Sequence, residues 1–427
     1  MNPTTSLAIR TLVLGIGAGL VQSAAAASPA AQQQSEAPIA QYWMDIATFN
    51  LMGMDEMPDM AGLPSGMLGG MMNRASHTGR DGRQARGVGN FGQTKWQAIG
   101  RQLDIALYTR ERPAGTQAVQ QVPARSDLGA APLHLVTPPR EVIERGQSEP
   151  GYPEPPRGRI LFYWGCSPVV KPGQPRVLDM AEMSMTDYTG FMQGRSVRDR
   201  GARAEAGHAI WPNEREHSRL NLRSSLLGEH QVSGEGVPAG LRFQIDQAHD
   251  FMPSLQVSSA GDLRESITLR WQPIAQARAY LHTAISGSEG ADRVPEMVIW
   301  SSSEPPESGM GLMDYISNGN IDQWLKDRVL LPPTQGECAI PKSIFAGREG
   351  TMLQSIAYGS ELNLVHPPRP ADPREVWKPE WSVRVRNKSL AMNMLGEDSR
   401  AMRSGERQAP APQEKPGKRL LRGLLGR

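Results

Sequence analysis

Leu103, Ile105 and Leu107 alternate with Asp104, Ala106 and Tyr108, a period of two that predicts a half-buried strand. Short strand patterns follow at 118–122 and 133–136. A Pro-rich joint (Pro150, Pro153, Pro155, Pro156) precedes RILFYWG at 159–165, an almost continuous apolar run that predicts a buried strand. The turn Lys171-Pro172-Gly173-Gln174-Pro175 leads into a further strand at 176–179. Residues 187–227 are polar, Arg-rich and aperiodic, and read as a long connection with short helical turns at most.

A second set of strands is clearer. Leu241, Phe243 and Ile245 alternate, as do Ile267, Leu269 and Trp271, and further strands are predicted at 279–285, 297–300, 352–358 and 381–385. In the last of these Val383 and Val385 face one way while Arg384 and Arg386 face the other. One helix is signalled at about 320–330. Asn320 can cap it, with Gln323 completing a capping box; Ile321, Trp324, Leu325 and the stem of Arg328 form one stripe. Pro332-Pro333 stops it. Many short strands with turn signals between them predict a mainly β fold: two β-sandwich-like units in series, one inserted helix, an irregular N-terminal segment and a C-terminal tail.

The resulting partition has six parts. Residues 1–27 have the layout of a secretory signal peptide: Arg10, an apolar stretch at 11–21 too short to span a bilayer, and alanines at 24–27 for cleavage. Residues 28–92 are a Met/Gly/Arg-rich segment expected to be mostly irregular, with a short ordered piece at 42–51. The first β-unit covers 93–182, the polar connection 183–234, the second β-unit 235–395, and a basic tail 396–427. Near the end of that tail Leu420, Leu421, Leu424 and Leu425 recur at helical spacing beside Lys418, Arg419, Arg422 and Arg427, a pattern suited to weak contact with a membrane surface or to a partner groove.

Composition narrows the function classes. Lys+Arg total 46 and Asp+Glu 44, a net charge of +2 that gives little field for nucleic acid, so no nucleic-acid partner is expected. No segment beyond the signal is apolar enough to be expected to cross a membrane. The two cysteines, Cys166 and Cys338, can form a disulfide in an oxidising compartment or remain two buried thiols.

The stretch from Ile267 through Trp271, Pro273, Ala277 and Tyr280 (ITLRWQPIAQARAY) resembles the second and third strands of fibronectin type III-like domains. The resemblance implies a sandwich in which Trp271 fills the space between sheets and Tyr280 packs back on it. It also implies a role in binding proteins or glycans, or as a spacer, with the helix as an insertion. The mature chain further resembles a set of uncharacterised exported proteobacterial proteins sharing a Met/Gly-rich N-terminal segment and a YWGC-type strand, here Tyr163 to Cys166.

Catalytic motifs such as G-x-S-x-G, H-E-x-x-H, G-x-x-x-x-G-K-[ST] and C-x-x-C are absent from the sequence, which lowers the prior for an enzyme without closing it. His208, Glu214, Glu216, His217 and His230 contain zinc-ligand types at a spacing that matches no closed zinc pattern; a charged surface loop is the plainer reading. Met54, Met57 and Met60 are thioethers with acidic neighbours Asp55, Glu56 and Asp59, a set suited to Cu(I) or Ag(I) or, more plainly, to adaptable packing. Three readings follow. The first is an exported binding or structural protein of the cell envelope, without a cofactor, whose partner is an envelope protein or glycan. The others are a periplasmic copper binder and a hydrolase using dispersed residues such as His208, His217 or His249.

Overall fold

The computed structural model describes residues 33–51, 91–96, 99–139, 158–216 and 220–396, apart from 181, 185, 188–189, 192–193, 290–294 and 349. The fold is mainly β. Along the chain run β1 (Ala40–Leu51), β2 (Gly100–Thr109), β3 (Gln117–Gln121), β4 (Leu133–Val136), β5 (Arg159–Trp164), β6 (Arg176–Asp179), β7 (Ala209–Trp211) and β8 (Gly228–Gly234). Then come β9 (Arg242–Ile245), β10 (Val257–Ala260), β11 (Ile267–Trp271), β12 (Ala279–Glu289), β13 (Pro295–Ser301), β14 (Glu337–Ile340), β15 (Met352–His366) and β16 (Trp381–Met394). The helices α1 (Gln93–Trp96) and α2 (Asn318–Lys326) accompany them.

Thirteen strands form one sheet in the order β6-β5-β13-β12-β15-β16-β1-β2-β7-β4-β3-β8-β9; β10-β11-β14 form the other. The three-stranded sheet lies on one face of β13, β12, β15 and β16. Trp271, Leu269, Cys338 and Ile340 there meet Tyr280, Val298, Trp300, Leu353 and Ala357 in one core. The Trp271 and Tyr280 rings are 5.6 Å apart. On the far side of β7 the large sheet curls, so that Leu133, Leu135, Val232 and Phe243 pack onto Tyr42, Met44, Ile46, Ile105 and Val385 as a second core.

β1 coincides with the ordered piece expected at 42–51, but it is a twelve-residue strand inside the large sheet rather than a short piece of an irregular segment. It sits between β16, paired in parallel over its twelve residues, and β2, paired antiparallel. Both faces of this part of the sheet are covered, so AQYWMDIATFNL shows no alternation and mixes Asp45, Thr48 and Asn50 among apolar residues. β2 is buried on both faces for the same reason rather than half-buried. β7 and β8 lie inside 183–234, where a polar connection was expected.

β15 and β16 are long enough to serve both cores. Leu353, Ala357 and Ala391 belong to the sandwich with β10-β11-β14, while Val383 and Val385 belong to the curled half. α2 covers the opposite face, burying Ile321 and Trp324 against Leu281, Ile356, Tyr358 and Leu390. Its cap is Ser317, whose hydroxyl accepts from the Asn320 amide, so the helix starts earlier than an Asn320 cap would set it. At the other edge β5 runs parallel to β13 and carries β6 with it. A disulfide between Cys166, just past β5, and Cys338 of β14 ties this hairpin to the three-stranded sheet, with Cα atoms 5.0 Å apart.

Candidate functional site

The strongest concentration of charge inside the fold lies where β1, β2 and β16 run side by side. The register sets Asp45 beside Arg386 on one flank and opposite Asp104 on the other. All three point to the sheet face that α2 and the 194–208 segment share. Asp45, Asp104, Arg386 and Lys388 are each 2 % exposed or less. Isolated charges in such a place would cost several kcal/mol apiece, so each needs a partner.

The partners are present. Arg386 forms a fork on Asp45, Nε to Oδ1 at 2.8 Å and Nη2 to Oδ2 at 2.7 Å. The Ala202 amide also donates to Asp45 Oδ2 at 3.1 Å. Gly201 passes so close that a Cβ there would overlap Arg386 Nη2 and Asp45 Oδ2, so only glycine lets this loop reach the pair. Asp199 lies 3.6 Å from Arg386 and pairs outward with Lys95 of α1 at 2.5 Å. The Tyr315 ring takes two cations, the Arg386 guanidinium at 4.4 Å and the Lys388 ammonium at 4.3 Å. Lys388 donates to the Met313 carbonyl at 3.2 Å and lies 3.7 Å from Asp314. Asp104 receives the amides of Gly92 and Thr94 and a short bond from the Thr94 hydroxyl, fixing the start of α1.

Electrostatics follow from burial. Burial raises the Asp104 carboxyl to about 6, its three hydrogen bonds oppose this, and Asp45 opposite adds to it. Burial alone would lower Arg386, but Asp45 outweighs it and holds the guanidinium above its ordinary value. Lys388 is lowered by burial, with Asp314 working against the shift. The layer therefore carries Asp45, Asp104, Asp199 and Asp314 against Arg386, Lys388 and Lys95, and a proton on Asp104 balances it. Chemically this arrangement clamps α1, the 199–202 loop and the 313–315 loop onto the sheet, and it can exchange one proton near neutrality.

Asp104 and His282 make the fold respond to pH in opposite directions. His282 on β12 is fully buried, with Trp271 4.3 Å away between ring centroids and Ser355 Oγ 2.7 Å from Nδ1. Burial lowers it from 6.5 to about 3. Below 6.5 the unfolded chain therefore takes up a proton that the fold refuses. Stability from this group falls as pH drops toward 3, by up to about 1.4 kcal/mol per pH unit. Asp104 is raised, so the fold keeps a proton that the unfolded chain releases near 3.8; its contribution is present at low pH and lost as pH rises through about 6. Between about pH 4 and 6 the two slopes oppose each other. Relative to the unsubstituted protein, His282→Gln is expected to gain stability as pH falls from 6 to 4, and Asp104→Asn to lose it. Urea unfolding at four pH values measures this; two variants running parallel to the parent would refute it.

The residues singled out in the sequence separate in space. His208 lies between the rings of Trp43 and Tyr108, 5.4 Å from each, and burial lowers its pKa. Glu216 instead contacts His134, and Glu214 is exposed. His230 stacks on Phe243, with Nε2 2.7 Å from the Leu226 carbonyl and Nδ1 3.0 Å from Gln120. His249 meets Asp246 at 2.6 Å, within one turn and at the surface. His217, Met54, Met57 and Met60 lie outside the described residues. Among the described residues no group of three or more His, Cys, Asp or Glu is arranged to hold a metal ion.

The ionic layer leaves no local mark in the sequence. WSVRVR shows that Arg386 faces away from Val385, but Asp45 is 341 positions distant and the local pattern does not reveal the cover over that face. A separate surface feature lies at the sheet edge. A groove of about 560 Å³ runs along β6, lined by Arg176 to Asp179, Glu182, Met183, Thr186, Asp187, Gly190 and Phe191.

Comparison with protein families and with curated proteins finds no match for this chain. No helix among the described residues is long and apolar enough to cross a membrane.

Proposed function

We propose that the protein is an exported binding or structural component of the cell envelope, acting without chemistry on its partner. The observation that carries this reading is the Cys166–Cys338 disulfide, which joins an edge hairpin to a sheet 172 positions away in sequence. Disulfides of this kind persist in oxidising compartments, in keeping with the signal-like residues 1–27. The facing of β10-β11-β14 on β13-β12-β15-β16 supports reading 235–395 as a fibronectin type III-like sandwich, an architecture that many cell-surface domains use for contact. The buried charge cluster around Asp45 and Arg386 clamps loops to the sheet, which suits a rigid scaffold presenting its edges. The copper reading rests on Met54, Met57 and Met60 in the sequence alone.

Fractionation with intact-mass measurement tests the assignment. The expected product lacks residues 1–27, is recovered from the periplasm or medium, and takes up thiol label only after reduction. A chain retained in the cytoplasm from Met1 with both thiols labelled would overturn it. A pull-down from envelope extract should delete 52–90 and not 28–92, because the larger deletion removes β1 from between β2 and β16.

A further inference from the structure

β6 ends the thirteen-strand order, and among the described residues no strand pairs with its outer side. The groove beside it combines two chemistries. Leu178, Met183 and Phe191 supply apolar surface, and Val177 is 53 % exposed next to them. Glu182 and Asp187 set two exposed carboxylates at its rim, near Arg176. A complementary ligand is therefore basic, short and leucine-rich. Residues 418–427 (KRLLRGLLGR) have that composition: Lys418, Arg419, Arg422 and Arg427 beside Leu420, Leu421, Leu424 and Leu425.

Reach agrees with composition. The register places Met394, Met352, Ile285, Ile299, Phe162 and Arg176 in one row across the sheet, from the end of β16 to the start of β6. Five strand spacings make that row about 24 Å long. The described chain ends at Gly396, two positions past Met394, and Lys418 follows 22 positions later. A chain of that length has a mean end-to-end span of about 26 Å.

We propose that residues 418–427 of the same chain occupy the β6 groove. Their cations face Glu182 and Asp187, and their leucines cover Met183 and Phe191.

Photo-cross-linking in the full chain tests this, with benzoylphenylalanine in place of Leu421 or Leu424. The expected product is an intramolecular cross-link to 176–191, identified by mass spectrometry, whose yield does not change with protein concentration. The pair Glu182→Lys and Asp187→Lys should lower that yield about fivefold or more, as loss of two partly exposed ion pairs and their replacement by repulsion would. Adding Lys418→Glu, Arg419→Glu and Arg422→Glu should restore it, which a merely misfolded groove would not allow. Cross-links elsewhere, or a yield indifferent to the charge reversal, overturn the proposal. So do products between chains that grow with concentration, and capture only by phosphatidylglycerol vesicles.

Discussion

Arg386→Met is expected to destabilise the protein by about 3–5 kcal/mol, the cost of leaving a buried carboxylate without its counter-ion. Asp45 is fully buried, and the Arg386 fork supplies two of its three hydrogen bonds; only the Ala202 amide remains in the variant. Asp104 directly opposite is also a carboxylate, so the loss places two acids face to face with less positive charge nearby. The attraction in the intact pair does not by itself show a net gain, because both groups were taken out of water to form it. The double variant Asp45→Leu with Arg386→Met separates these effects. It removes both charges and is expected to recover most of the lost stability in urea unfolding. A single-variant loss below about 1 kcal/mol would mean that the pair behaves like a surface ion pair and that water reaches it.

The legible and illegible parts of this fold divide by the range of the interaction. α2 could be read because its apolar stripe and its polar start are local; its cap moved from Asn320 to Ser317, and it ends at Lys326 rather than near 330, with Arg328 past the end in the left-handed region and so off the stripe. The strand patterns around Leu103, Trp271 and Val383 could be read because alternation is local too. β1 was legible only as an ordered piece at 42–51: burial on both faces erases the alternation that would mark a strand, and its partners β2 and β16 begin about 50 and 330 positions past its end. β7 is three residues long and β8 reads GEHQVSG, too short or too polar to stand out. His230 illustrates the same limit at the level of one side chain: beside His217 in sequence it suggested a ligand, and in space it stacks on Phe243. The groove at β6 was invisible because no pattern within 176–191 says that the sheet stops there.

Replacing both cysteines, Cys166→Ala with Cys338→Ala, is expected to cost about 2–5 kcal/mol. The bridge spans 172 positions, and a link over so long a loop restricts the unfolded chain strongly in the loop-entropy account. Alanine suits the buried Cys338 site, which is 2 % exposed, because it adds no unsatisfied polar atom there. The loss should also be uneven in space. β5 and β6 join the large sheet through strand pairing to β13. Without the bridge, their remaining ties near it include the Ser167 amide to the Ala339 carbonyl at 2.9 Å, the Lys342 amide to the Pro168 carbonyl at 3.0 Å and the Trp300 indole to the Gly165 carbonyl at 3.1 Å. Hydrogen exchange in 159–164 and 176–179 should therefore accelerate more than in β15 and β16, which are paired on both sides. Reduction of the unsubstituted protein should reproduce both effects. A uniform loss across the sheet would show that the bridge acts only through the unfolded state, and no loss at all would show that β13 pairing and the apolar contacts of Ile160, Phe162 and Leu178 suffice to hold the hairpin.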